Sequence, residues 1–294
     1  STGLPVAVVG PKMDLTYDAA FLGDESAVLA DLASGKHKFA SKLKKAKRPM
    51  IIIGMGALAR ADGAAVLGQA RDIAETYGVV TKIWNGFNVL HSSASRVAGL
   101  DMGFVPEKSG LDVEAMYKAA EAGKLDLVWL LGADEADLPR LKNAFIVYQG
   151  HHGDNGAHHA DVVLPGAAYT EKDGIYLNTE GRVQYANRAA FPPGEAREDW
   201  AILRAFAGVM KINVGFDSLD ELRELLFRAV PHFADRDMIS PAKWTKFGSR
   251  AKVKPVKLTT AIDNFYMTCA ISRASETMAE CMRANGTEQA EAAE

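Results

Sequence analysis

Cysteine is scarce in this 294-residue chain, with Cys269 and Cys281 the only two. Two thiols are too few for a disulfide framework, and too few for an iron–sulfur cluster, which takes about four thiolates. They fit a reducing compartment. Long hydrophobic runs are missing as well. Stretches such as Leu125–Leu131 fall far short of the roughly 20 apolar residues that cross a bilayer, so no direct membrane insertion is expected. Neither sign of charge dominates: 34 Lys and Arg stand against 37 Asp and Glu, a net of -3 with a pI near 6.2. No global field draws nucleic acid or an anionic membrane, and nucleic acid is not an expected partner. The start, Ser1-Thr2-Gly3-Leu4-Pro5, has no initiator Met, charged n-region or apolar leader. It reads as a chain without a signal peptide, processed or excised from something longer.

What is present is a globular composition, 48% hydrophobic and 24% charged, on a length that suggests about two domains. Short apolar, β-branched runs alternate with amphipathic stretches over roughly the first 165 residues, the pattern of βα units on a parallel sheet. The expected strands are Pro5–Val9, Met50–Ile53, Val79–Trp84, Leu125–Leu131, Phe145–Tyr148 and Asp161–Leu164. They lack period-2 alternation, which argues for helices on both faces of a doubly wound sheet. Val66, Ala70, Ile73 and Tyr77 recur at helical spacing between an N-cap at Asp62 and a stop at Gly78. Asp112 caps a second helix through Val113, Met116 and Ala120, ending at Gly123.

Beyond Pro165 the pattern changes. Ile175–Leu177 and Arg182–Tyr185 read as a β-hairpin in which Gly181 takes the positive φ. Two helices follow, one with Trp200, Leu203, Phe206 and Met210 on a face, the other opened by a capping box of Ser218 and Glu221. Pro231–Pro255 reads as an extended, surface-hugging segment. Gly286–Glu294, with three Glu and no large apolar group, reads as an acidic disordered tail. The expected segmentation is an α/β domain over 1–192, a helical and extended carboxyl-terminal region over 193–285, and the tail over 286–294.

Four features invite a chemical reading. Gly54-Met55-Gly56-Ala57-Leu58-Ala59 follows a strand and matches a dinucleotide fingerprint with Ala at the third glycine. That reading needs a helix opening at the glycines and an acid about 20 residues on; the capping signal waits until Asp62, and the later segment reads Ile83-Trp84-Asn85-Gly86. A tight strand-to-helix turn is the plainer reading, with a Rossmann-type nucleotide-dependent enzyme using Gly54–Ala59 as the alternative. The loop from Gly150 to Asp161 holds His151, His152, His158, His159 and the carboxylates Asp154 and Asp161. Their spacing matches neither the i, i+4 pair nor a zinc finger, so hydrogen bonding outweighs metal ligation. Seven cations from Lys36 to Arg48, and more from Lys243 to Lys257, form a solvated face or a docking surface for an acidic chain. On a single helix Cys269 and Cys281 would stand roughly 18 Å apart and about 120° around, unable to share a cluster.

One set of motifs is more specific. Tyr148-Gln149-Gly150-His151-His152-Gly153-Asp154, then Ala160-Asp161-Val162-Val163-Leu164-Pro165, Glu171-Lys172 and Asn178-Thr179-Glu180-Gly181-Arg182-Val183-Gln184, resemble the carboxyl half of the large iron–sulfur subunit (the G subunit) of respiratory complex I, the NADH:quinone oxidoreductase. The second, third and fourth elements are shared with the wider molybdopterin oxidoreductase superfamily. The Gly-His-His-Gly-Asp loop, Asp14-Leu15-Thr16-Tyr17, Pro193–Trp200, Asn264–Thr268 and Ile271–Ser275 resemble the mitochondrial and alphaproteobacterial forms.

The resemblance implies a doubly wound α/β domain of the molybdopterin oxidoreductase type, with a hairpin appendage and a mainly helical or irregular carboxyl-terminal extension. It implies iron–sulfur clusters in an upstream half and no cofactor in this segment. Active superfamily members carry a Gly-x-Asn-Pro-like turn for the pterin dinucleotide; here it reads Leu131-Gly132-Ala133-Asp134-Glu135, with two carboxylates opposing a phosphate. The implied role is a non-catalytic segment of the peripheral arm, with no catalytic, cofactor or metal residues of its own. Its partners would be other subunits of that arm, at the cytoplasmic face of the bacterial inner membrane or the matrix side of the mitochondrial one. A fragment of an active molybdopterin oxidoreductase is the remaining alternative.

Overall fold

The computed structural model describes residues 3–94, 96–262 and 264–291, with the backbone alone over 286–291. It divides into two compact units, Ser1–Arg96 with Pro241–Asp263, and Val97–Ser240 with Asn264–Glu294. This packing differs from the segmentation at 192 and 285. The α/β portion is shared between both units, and the proline-punctuated segment returns to the first.

In the first unit, β1 (Ala7–Val9) pairs in parallel with β2 (Ala20–Gly23), and β3 (Ile51–Gly54) with β4 (Phe87–Leu90). Helices α1 (Ala27–Ala33), α2 (Ala40–Lys45) and α3 (Gly63–Tyr77) accompany them. The apolar stripe of α3 is buried as its period requires: Ile73 and Tyr77 pack with Leu32 and Ala40, and the Tyr77 hydroxyl donates to Leu32 O at 2.6 Å. Gly78 ends the helix at φ +64°, its N–H bonded to Ala74 O, a left-handed stop that glycine adopts without strain. Asp62 stands at the head of α3 without capping it. Its carboxylate accepts from Arg60 Nε at 2.5 Å and from Lys254 N at 2.7 Å.

Lys254 belongs to an extended strap that the glycines of this unit admit. A Cβ at Gly68 would meet Ser249 O at 2.2 Å, and one at Gly56 would meet Thr259 O at 2.2 Å. Val253 packs on Ala65 and Val66, while Leu258 N donates to Asp24 O at 2.9 Å. The expected strand Val79–Trp84 is instead a tight turn. Val80 bridges only Asn85, Thr81 N donates to Trp84 O at 2.7 Å, and the strand follows as β4. The Asn85 side chain accepts from Phe87 N at 3.0 Å, an Asx turn that restarts the chain.

In the second unit, β5 (Leu127–Leu131), β6 (Phe145–Gly150) and β7 (Val162–Pro165) form a parallel sheet in sequence order. The α/β class with parallel strands is as expected, but the described parallel strands lie in this sheet and the two pairs of the first unit, not in one continuous sheet. Helices α4 (Arg96–Asp101) and α5 (Val113–Glu121) precede β5 in the chain, and α6 (Asn155–His159) lies between β6 and β7. Asp112 caps α5, its carboxylate accepting from Ala115 N. Leu130, Ile146 and Tyr148 pack with Ala120, Leu138 and Leu141 in one core. The hairpin is realised as β8 (Gly174–Leu177) and β9 (Val183–Ala186), with Gly181 at φ +81°. Its inner residues Leu177 and Val183 pack on Ala98 and Phe233.

Helices α7 (Asp199–Val209) and α8 (Leu219–Ala229) follow; Ser218 Oγ accepts from Glu221 N at 3.2 Å, as its sequence pattern predicts. The Glu221 carboxylate reaches one residue further back than a capping box requires, to Asp217 N. Cys269 caps α9 (Ala270–Arg273) and Cys281 lies on α10 (Glu276–Glu291), so the two thiols are on separate helices. The backbone of the expected disordered tail is helical from Gly286 to Glu291, and 292–294 lie outside the described residues. Extending an existing helix adds a hydrogen bond for each residue fixed, without a new nucleus.

Two substitutions test these backbone constraints. Gly181→Ala meets open space, so its expected loss of about 1 kcal/mol comes from the positive φ alone. Gly68→Ala gains helix propensity of about 1 kcal/mol yet is expected to be destabilising by about 1–3 kcal/mol overall, because the strap backbone must shift. Thermal unfolding of both variants checks the order.

Candidate functional site

Open parallel sheets present ligands at the carboxyl ends of their strands, where helix amides and loop side chains converge. In the second unit these ends are Leu131, Gly150 and Pro165. After β5 the chain turns through Gly132, at φ +59°, whose N–H donates to Gln149 O at 2.8 Å. The turn buries Asp134, which is only 6% exposed. The Tyr148 hydroxyl donates to Asp134 Oδ2 at 3.2 Å, while Asp134 Oδ1 has no partner among the described residues. Gly156 makes the approach of Tyr148 feasible, since a Cβ there would lie 2.5 Å from the ring. Burial, then the hydrogen bond and charge of Asp134, push the Tyr148 phenol well above its ordinary range, so it remains a donor at neutral pH.

Arg273 on α9 links the two loops at these strand ends. Its Nε bonds Asp154 Oδ2 at 2.5 Å, and a terminal nitrogen bonds Glu135 Oε1 at 3.1 Å. Burial pushes the Asp154 carboxyl up, but hydrogen bonds from Arg273 and Asn155 N and the charges of Arg273 and His158 outweigh it, and the group titrates below its ordinary range. Arg273 is likewise held above its ordinary range: burial opposes its charge, and the two carboxylates more than offset that. A chain-borne cation therefore pairs with one carboxylate of the Gly-His-His-Gly-Asp loop and one of the Asp134-Glu135 turn.

A second polar network lies at the end of β6. Gln149 is fully buried. It accepts from Trp129 Nε1 at 3.2 Å and donates to Asp199 Oδ1 at 2.9 Å, and Asp199 also pairs with Lys172. Residue chemistry along the sequence does not single out Gln149 or Asp199. The available signal is an amide closing an otherwise apolar strand.

The histidines are not gathered into one site. His151 and His152 face each other, Nδ1 to Nδ1, at 2.6 Å. Burial, then the neighbouring His152 and Lys172, hold His151 below its ordinary pKa. His158 and His159 are exposed on α6, where His159 Nδ1 bonds Asn155 O. Asp161 is occupied in accepting from Ile146 N at 2.7 Å. Among the described residues no three His, Cys, Asp or Glu side chains are grouped to hold a metal ion. In the first unit the glycine turn is a short 3-10 turn, Met55–Ala57, with α3 opening only at Gly63. Its glycine spacing serves the close passage of residues 259–261.

Residues 1–209 match the family model for molybdopterin oxidoreductase, and the chain belongs to that family. Residues 238–281 match the model for the C-terminal region of the NADH-ubiquinone oxidoreductase G subunit. The chain is 44% identical over 281 residues to the NADH-quinone oxidoreductase G subunit of Rickettsia felis, covering 96% of this chain and 40% of that protein. It is 43% identical over 290 residues to the same-named protein of Rickettsia conorii, covering 99% and 41%. The chain thus spans about 40% of the length of these curated relatives.

Arg273→Ala strands Asp154 and Glu135, with an expected loss of about 1–3 kcal/mol at pH 7. Because the folded Asp154 titrates below its unfolded value, this contribution is complete above about pH 4 and is lost as pH falls through the folded pKa. Urea unfolding at a series of pH values should show the variant's deficit closing on the acid side. Tyr148→Phe removes the donor to a buried carboxylate, for an expected loss of about 1–3 kcal/mol in the same assay.

Proposed function

We infer that the chain is the carboxyl-terminal part of the large iron–sulfur subunit of complex I, serving as a non-catalytic structural segment of the peripheral arm. It supports electron transfer from NADH to quinone by holding the subunit in place among its neighbours, while iron–sulfur clusters upstream carry the electrons. The observation that carries this reading is identity of 42–44% to NADH-quinone oxidoreductase G subunits across 96% or more of the chain. The assembly would place it at the cytoplasmic face of the bacterial inner membrane, or on the matrix side in mitochondria. No helix among the described residues is long and apolar enough to cross a membrane.

The charges at the ends of β5–β7 oppose an anionic cofactor in this segment. The residues at the ends of β5–β7 do not fit a pterin dinucleotide. Its phosphates would have to displace Arg273 and then face Glu135, Asp154 and the buried Asp134. One like-charge pair at about 4 Å is unfavourable by about 4 kcal/mol at an effective dielectric of roughly 20. That equals the whole binding free energy of a ligand held at about 1 mM.

The test is purification of the native assembly from cells carrying this sequence, with mass spectrometry of its chains and metal analysis. The chain should co-purify in equal proportion with the other subunits, with iron and acid-labile sulfide but without stoichiometric molybdenum. Molybdenum or released pterin in proportion to the chain would overturn the structural reading.

A further inference from the structure

The near-neutral total charge conceals a separation. The first unit carries 18 Lys and Arg against 9 Asp and Glu, a net of +9, which leaves 16 against 28 of the chain's 34 and 37 to the second. The seven cations from Lys36 to Arg48 are all exposed, and none has an ion-pair partner among the described residues. Arg60 and Lys257 in the same unit pair with Asp62 and Asp24. The seven cations are therefore a concentrated, unneutralised field.

The end of that cluster is joined to an apolar tip. Arg48 lies over the Trp84 ring at 5.6 Å from its centroid, and Trp84 Nε1 donates to Pro49 O at 2.9 Å. Ile51 N donates to Gly86 O at 2.8 Å. These contacts fix residues 47–50 beside the turn 81–84. In the turn Ile83 is 89% exposed, and Met50, in the segment pinned beside the turn by the Trp84 to Pro49 bond, is 50% exposed. Lys47 and Lys82 flank them in solvent. An aliphatic side chain held out on a hydrogen-bonded turn, with Met, Trp and Arg around it, has the composition of an interface core with a charged rim.

We propose that Lys47, Arg48, Met50, Lys82, Ile83 and Trp84 dock an acidic surface of another protein chain, with Ile83 entering an apolar depression bordered by Asp and Glu. The proposal rests on the reading of this chain as a subunit of an assembly, and adds the patch and the chemistry of the partner. A compact acidic patch is favoured over an extended polyanion on two grounds. Surface charges act over about 8 Å at physiological salt, so a patch of matching size feels only the local cations. The reading of this chain as one subunit of an assembly also supplies other protein chains as its neighbours, which it does not do for a nucleic acid. A nucleic-acid backbone offers no apolar depression for an exposed isoleucine, as a protein surface does.

The experiment uses the full-length protein in cells. A photo-crosslinking phenylalanine derivative at Ile83 leaves the cations intact, and Lys47→Glu with Lys82→Glu reverses the rim at exposed positions. Expected are a cross-link from position 83 to a Glu- and Asp-rich segment of a second polypeptide, and about tenfold lower incorporation of the charge-reversed protein into the assembly, in line with the sensitivity of association to rim charge. Cross-links confined to the same chain, a cross-linked surface that is not acidic, or unchanged incorporation overturns the proposal and leaves the functional reading standing. A wild-type chain that enters no assembly overturns both. Saturable binding of the chain to duplex or single-stranded nucleic acid, or to phosphatidylglycerol vesicles, at physiological salt replaces the proposed partner with a polyanion.

Discussion

The first unit depends on two stretches of main chain approaching closer than any side chain allows. Its two strand pairs are too small to be stable alone. The missing cover comes from the strap at 247–261, which lies directly against Gly56 and Gly68; strap residue Gly248 closes from the other side at φ +72°. Side chains then secure the contact. Arg71, only 7% exposed, bonds Phe247 O and lies over the Phe247 ring, while Asp62 holds both Arg60 and the strap amide of Lys254. The strap arrives from about 190 residues away, and this distance is tolerable because closure entropy grows only logarithmically, at about 0.6 kcal/mol for each doubling.

That dependence explains which parts of the fold were legible in the sequence. Helix α3 with its Gly78 stop, α5 with its Asp112 cap, and the hairpin with Gly181 are each written within about 20 residues, in periodicity and turn chemistry that act locally. The strap is not written that way. Nothing near Asp62 shows that its carboxylate will leave the helix head for Lys254, nor anything near Arg71 that a buried guanidinium will find Phe247. Likewise Val79–Trp84 has strand composition, but Trp84 Nε1 bound to Pro49 O bends it into a turn. Here tertiary context overrode propensity. Strand β2 escapes a sequence reading because Ala20-Phe21-Leu22-Gly23 is too short to carry a period.

The candidate site divides in the same way. Asp134 and Glu135 were legible as carboxylates in a turn that resemblance assigns to a phosphate, and Asp154 as part of a notable loop. The histidines drew attention by their number, yet geometry gives them one mutual contact and exposed positions on α6. Arg273, which pairs with a carboxylate of each loop, lies more than 100 residues downstream in a segment whose composition gave no hint of charge pairing.

A cation supplied by the chain itself differs from one supplied by a ligand. Arg273 is tethered on α9, so its effective concentration at Glu135 and Asp154 is that of an intramolecular partner, in the millimolar range or above. An external cation must outcompete it, and an external anion must first expel it and then face the uncovered carboxylates. Tyr148 adds to this by donating into the buried Asp134 from a phenol that stays protonated. Gly156 and Gly150 leave no side-chain volume between that ring and the loop. At the strand ends the polar groups that would greet a ligand are thus largely committed to one another. The unpartnered oxygen of Asp134 is the exception, and it faces inward.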